Sequence, residues 1–162
     1  MNVRTLAVNG IIAAMYIAVT MFIQPFGFTN IQFRIAEMFN HLIIFNKKYL
    51  YGIVLGVFLA NLFFSPMVAY DLVFGVGQSL ISLLLMIFAM KFAKGTVARM
   101  VTNTLIFTFT MFIIAFELHL ALGFPFLLTW LTTAIGEFVV MLVGIPVMLA
   151  IHKRVNFTKL ID

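Results

Sequence analysis

The sequence contains no cysteine. That excludes a disulfide framework, a thiolate metal site and a cysteine nucleophile, and it says nothing of compartment. Charge is nearly as scarce. Charged residues fill 9% of the 162 positions, where a soluble domain carries about a quarter. Acids are the rarer sign, five against ten Lys and Arg. Catalytic signatures are missing too. Lys94-Gly95-Thr96 has no glycine-rich loop before it, so no phosphate cradle is encoded. There is no HExxH zinc pattern and no GxSxG elbow. His41 and His152 have no two further ligands at suitable spacing, so they make no metal site. An enzyme is not indicated, and no cofactor is implied.

What fills the chain is apolar. Hydrophobic residues make up 64% of it and the mean hydropathy is +1.18. Such a composition cannot present a wettable surface, so the chain reads as an all-α membrane protein. The loops are too short to hide a second domain, and residues 1–162 read as one transmembrane domain. Apolar runs of roughly 20 residues are the signal for a spanning helix. They occur at Leu6–Ile23, Leu50–Phe64, Leu72–Met90, Met100–Leu118 and Phe126–Ile151, with a shorter, tilted or partly inserted one at Ile35–Phe45. The first run lacks a cleavage site before a polar mature chain and reads as a retained helix. A bundle of about six transmembrane helices is expected.

The connections support that count. Pro25, Pro66 and Pro125 fall in the first, third and fifth, while Pro146 lies inside the last helix and is expected to kink it. Six passes place Arg4, Lys47, Lys48, Lys91, Lys94, Arg99, Lys153, Arg154 and Lys159 on one side and Arg34 alone on the other. The positive-inside rule makes the first side cytoplasmic, with both termini there, in the cell (plasma) membrane. In a soluble protein this excess of basic residues would suggest nucleic acid. Here it is spent on orientation, and no nucleic acid is expected.

The acids point to function. Glu37, Asp71 and Glu117 lie near the outer ends of helices two, four and five, and Glu137 near the middle of helix six. Asp162 is the last residue and reads as solvated. A carboxylate facing lipid costs on the order of 2.5–3.5 kcal/mol, so Glu137 should face the bundle interior or a wet cavity. Trp130, Thr133, Glu137 and Gly144 share one helical face; Arg34, Glu37 and His41 share another, with Asn40 beside them; Asp71, Gly75, Gln78 and Ser82 share a third. These stripes suggest a polar cavity opening outward. The plainer reading is that Arg34 pairs with Glu37 and the amides join helices. Glu117 and His119 read as rim residues at the interface. Gly10, Ala14 and Ala18 recur every four residues in helix one, a spacing that lets another helix approach, from a partner or from this chain itself.

Several stretches together resemble a known family. They are Gln32-Phe33-Arg34-Ile35-Ala36-Glu37, Tyr51-Gly52-Ile53-Val54-Leu55-Gly56 with Ala60-Asn61-Leu62, Asp71-Leu72-Val73-Phe74-Gly75, and Ala134-Ile135-Gly136-Glu137 with Gly144-Ile145-Pro146. In this order they resemble the QueT family, the queuosine-precursor S components of energy-coupling factor (ECF) transporters, over nearly the whole chain. Ala14 and Ala18 match the alanine motif by which S components engage the coupling subunit. The resemblance implies a six-span S component with an outward-facing pocket. It also implies a coupling subunit, two ATPase subunits and uptake by toppling of the whole S component in the lipid bilayer.

The small-molecule substrate expected on this reading is a deazaguanine. In 7-aminomethyl-7-deazaguanine the guanine-like edge offers an N–H and an amino group to a carboxylate. The aminomethyl group is a cation, and the flat ring favours an aromatic wall. Glu37, Asp71 and Glu137 supply acids, Asn40, Asn61 and Gln78 amides, and Phe33, Phe74 and Trp130 rings, with Arg34 beside them. Two other readings stand: a stand-alone secondary transporter or channel with Glu137 as its proton or cation site, and a non-transporting membrane assembly protein.

Overall fold

The computed structural model describes residues 2–27 and 32–161, the side chains at 26 and 27 excepted, and every regular element among them is helical. Asp162 lies outside the described residues. Helix α1 spans Val3–Gly27 and keeps Pro25 in its final turns, where the sequence had placed a loop. A proline near a helix end removes one hydrogen bond without breaking what precedes it. A 3₁₀ helix follows at Ile35–Ile44, then α2 at Tyr49–Phe64. Pro66 then separates α2 from α3, Val68–Ala89, which contains a π-helical stretch at Asp71–Gly75. Helix α4, Thr96–Leu122, is interrupted for one residue at Met111. Gly123 then takes a left-handed φ of 71° and ends it, a conformation open to glycine at little cost. Helix α5 spans Phe126–Val155 and runs through Pro146, and the short α6 is Phe157–Leu160.

Four helices, α1, α3, α4 and α5, are long and apolar enough to cross a membrane. The 3₁₀ helix and α2 are apolar but shorter. The outer faces of the long helices suit lipid: Phe22, Val73 and Leu127 are each more than two-thirds exposed. An exposed apolar surface of that extent is stable only against hydrocarbon. The protein is therefore a multi-pass membrane protein.

The 3₁₀ helix is the centre of the bundle. It packs against α1, α2, α3, α4 and α5, and eight of its ten residues are buried. At about 2.0 Å per residue its ten residues reach about 20 Å, where an α-helix would reach about 15 Å. Around it lies a core of Tyr16, Leu42, Ile43, Tyr49, Ile53, Leu83, Met86, Met100, Met141 and Met148.

One end of the bundle is tied by polar contacts and carries a group of basic residues. Arg4 donates to the Lys159 carbonyl at 3.0 Å, Tyr49 Oη to the Phe157 carbonyl at 2.8 Å, and Arg99 Nε to the Ala93 carbonyl at 3.0 Å. Lys47, Lys48, Lys91 and Arg99 line one cavity of about 600 Å³ there. The described acids all lie away from this end.

Candidate functional site: a buried acid cluster

Four carboxylates reach the interior from four different elements. Glu37 comes from the 3₁₀ helix, Asp71 from α3, Glu117 from α4 and Glu137 from α5, and each is almost fully buried. One guanidinium, Arg34, stands among them. Its Nη2 donates to Asn61 Oδ1 at 2.5 Å and its Nε lies 3.9 Å from Glu37 Oε1. It also acts through space on Asp71 and Glu137. Such a set is costly to desolvate unless its groups satisfy one another or a ligand.

Glu37 is the best-satisfied acid. Its Oε1 accepts the Tyr16 hydroxyl at 2.6 Å, and its Oε2 accepts Asn40 Nδ2. Asp71 accepts the Ser65 hydroxyl, and its backbone carbonyl accepts Asn61 Nδ2 at 3.1 Å. The Asn61 amide thus bridges Arg34 to α3. Gly75, one turn beyond Asp71, makes this possible: a Cβ there would stand 2.8 Å from Asn61 Nδ2. Glu137 Oε1 has no hydrogen-bond donor among the described residues, and the oxygens of Glu117 have none beyond the neighbouring Asp71 carboxyl. The charges acting on Glu137 are those of Glu37 and Arg34. Those acting on Glu117 are Asp71 and Arg34.

The sequence-derived set divides on this geometry. Arg34, Glu37, Asn40, Asn61, Asp71 and Glu137 form one buried cluster. Gln78 lies apart: its Nε2 donates to Thr110 Oγ1 at 3.0 Å and ties α3 to α4. His41 bonds the Met141 carbonyl at 2.9 Å and serves the packing of the 3₁₀ helix on α5. Trp130 is half-buried, donates to the Phe109 carbonyl at 3.1 Å, and meets the rings of Phe109, Phe112 and Phe126. Phe74 is half-buried, stacks on Tyr70 and meets Phe116 edge-on at 6.1 Å, next in sequence to Glu117. Phe33 lines an apolar groove of about 330 Å³ with Ile23, Met38 and Val143, a groove without any acid.

Three members were missed. Tyr16 is fully buried, on an inward stripe with Asn9, Ala13 and Thr20, and that four-three-four spacing was a usable signal. Glu117, read as a rim residue, is 1% exposed. Ser65 carried no signal, being a loop serine before Pro66.

The model of the QueT transporter family matches residues 6–153. The chain belongs to that family. A relative in Lactococcus lactis subsp. cremoris (strain MG1363), "Queuosine precursor transporter QueT", is 32% identical over 158 residues, 92% of each chain. No solved structure matches. As a member of the QueT family the protein is a membrane transporter and not an enzyme.

On the opposite face of α1 from Tyr16, the small residues Gly10, Ala14 and Ala18 are all exposed. Among the described residues no other helix buries them, and a Cβ at Gly10 would meet nothing within 4 Å.

Proposed function

We propose that this chain is the substrate-binding subunit of an ECF-type ATP-dependent importer and that it carries a queuosine precursor, 7-aminomethyl-7-deazaguanine, in the acid cluster. The observation that carries the reading is the imbalance of that cluster: four buried carboxylates from four elements around one guanidinium. A ligand with an ammonium group and a donor-rich edge complements it. The relative named as a queuosine precursor transporter supports the cargo.

The importer reading adds three parts. Energy comes from two separate ATPase subunits, since this chain has no phosphate-binding loop. The exposed Gly10, Ala14 and Ala18 face receives the coupling subunit. The nine basic residues face the cytoplasm with both termini, in the plasma membrane.

Two measurements test this. The mass of any small molecule copurifying with the protein should be that of the deazaguanine. Vesicles holding this protein with the coupling subunit and ATPases should accumulate it only with ATP. Accumulation by this protein alone, driven by a proton gradient, would instead make it a secondary transporter with Glu137 as the proton site.

A further inference from the structure

Four cations converge on the cavity of about 600 Å³ at the basic end of the bundle. Lys47 and Lys48 come from the connection between the 3₁₀ helix and α2, Lys91 from the turn after α3, and Arg99 from the first turn of α4. No carboxylate stands among the described residues that line it. Sidedness in the bilayer accounts for basic residues at one end. It does not account for their gathering around one hollow from separate parts of the chain.

The backbone around the cavity is held by hydrogen bonds. Arg99 Nε donates to the Ala93 carbonyl at 3.0 Å and its Nη2 to the Met90 carbonyl at 3.3 Å, which fixes the guanidinium against the α3–α4 connection. The Lys48 N–H donates to Asn46 Oδ1 at 3.0 Å and the Leu50 N–H to the Lys47 carbonyl at 3.1 Å, so the connection before α2 is an ordered turn. The three lysines are exposed and Arg99 is half-buried. Much of the remaining lining is apolar, including buried Ile43 and half-buried Ile87 and Met90.

A hollow that joins cations to an apolar wall fits an anionic amphiphile, with a phosphate on the cations and the first chain carbons on the wall. Its position favours a membrane lipid. Helices α3 and α4 are both long enough to span, and the cavity lies where one ends and the next begins, the depth of lipid head groups. Phe88 and Phe92 are exposed on either side of Lys91, whose Nζ stands 5.2 Å from the Phe88 ring centre. Exposed rings beside a lysine suit the boundary between hydrocarbon and water.

We propose that this cavity is a binding site for the phosphodiester head group of an anionic phospholipid, with Arg99 as the fixed anchor and Lys47 and Lys91 adding charge. The site is separate from the acid cluster and does not depend on the identity of the cargo. An occupying lipid would tie the connection before α2 and the α3–α4 connection to the same leaflet.

The test titrates purified protein in neutral detergent with dioleoyl phosphatidylglycerol or dioleoyl phosphatidylcholine and counts bound lipid by native mass spectrometry. Wild type should bind one phosphatidylglycerol about tenfold or more tightly than phosphatidylcholine. Lys47→Gln combined with Lys91→Gln should lose that preference. Lys153→Gln combined with Arg154→Gln removes the same charge outside the cavity and should keep it. All four positions are exposed, and the unfolding midpoint checks that both double variants fold. If one does not, its single substitutions give the same comparison. Excess inorganic phosphate should leave the lipid bound. Equal loss in both double variants would mean diffuse attraction to the basic end and overturns the site. Equal affinity of wild type for the two lipids overturns it as well, as does displacement by inorganic phosphate, the mark of a free-anion site. A Lys47 and Lys91 variant that binds lipid like wild type but no longer copurifies with the coupling and ATPase subunits makes the cavity a protein dock, which also overturns the proposal.

Discussion

Arg34 Nη2 donates to Asn61 Oδ1 across 2.5 Å, joining the entry of the 3₁₀ helix to the last turn of α2. The same guanidinium stands 3.9 Å from Glu37. The bond therefore places the bundle's one described buried cation where it offsets acids arriving from three other helices. Stability of the polar interior depends on this residue.

Removal of that cation should be strongly destabilising. Arg34→Gln leaves Glu37 and its neighbouring acids without their counter-charge, and breaking a buried pair costs about 3–5 kcal/mol. Arg34→Lys restores the charge but not the planar fork that reaches Asn61 and Glu37 together. Thermal unfolding in detergent should rank wild type above Lys and Lys above Gln. A Gln variant as stable as wild type would show that the acids are not held as carboxylates around Arg34.

Glu137 should report on the ligand more than on the fold. It sits about 17 Å along α5 at 1.5 Å per residue, buried, with Oε1 unpaired among the described residues. Glu137→Gln keeps the shape and replaces an acceptor with a donor. Binding of 7-aminomethyl-7-deazaguanine should weaken by about 2 kcal/mol, roughly thirtyfold, because a buried ligand donor loses its acceptor. Titration calorimetry reads this directly, and the unfolding midpoint should change little. Unchanged affinity would move Glu137 out of the pocket.

Much of this site was legible in the sequence because a carboxylate in an apolar helix has few places to go. Glu37, Asp71 and Glu137 stood out by rarity alone, and Arg34, Asn40 and Asn61 by spacing or motif. The failures have physical causes. Gln78 and Trp130 share helical faces with acids, but shared phase does not fix depth or tilt, and both side chains turn to α4. Glu117 seemed solvated because α4 was expected to end at Leu118. The helix continues to Leu122, and that extra turn draws the carboxylate inside. Element boundaries of this kind depend on the Gly123 stop. Long apolar runs marked the four helices that are long enough to cross a membrane, among about six expected, but the 3₁₀ geometry of Ile35–Ile44 leaves no trace in composition.

The contact of α1 with α2 should prove intolerant of bulk. A Cβ at Gly56 would stand 2.7 Å from Tyr16 Cβ and 3.3 Å from Ala13 Cα, neither of which can rotate away. Gly56→Ala should therefore cost about 1–3 kcal/mol through overpacking. It should also disturb the Tyr16 bond to Glu37, so ligand affinity falls with stability. Gly10→Ala is the control, since nothing lies within 4 Å of its added methyl. Its effect should be neutral or stabilising by up to about 1 kcal/mol, the helix-propensity difference. Unfolding midpoints of the two variants check both statements, and a tolerated Gly56→Ala would mean the two helices can separate freely.

The same helix allows the proposed partner face to be tested apart from the pocket. Ala14 and Ala18 are exposed on α1, while Tyr16 and Thr20 of that helix are buried. A bulky residue at Ala14 or Ala18 therefore points away from the acid cluster, but it would hold an approaching helix away. Ala14→Phe and Ala18→Phe should bind 7-aminomethyl-7-deazaguanine like wild type when purified alone. Copurification with the coupling subunit should be lost, and ATP-driven uptake by reconstituted vesicles should fall to background. If both variants assemble and transport normally, the face meets only lipid and the coupling subunit docks elsewhere. If ligand binding by the isolated variants fails instead, α1 is packed inward in the working state, and the small residues serve the fold and not an assembly.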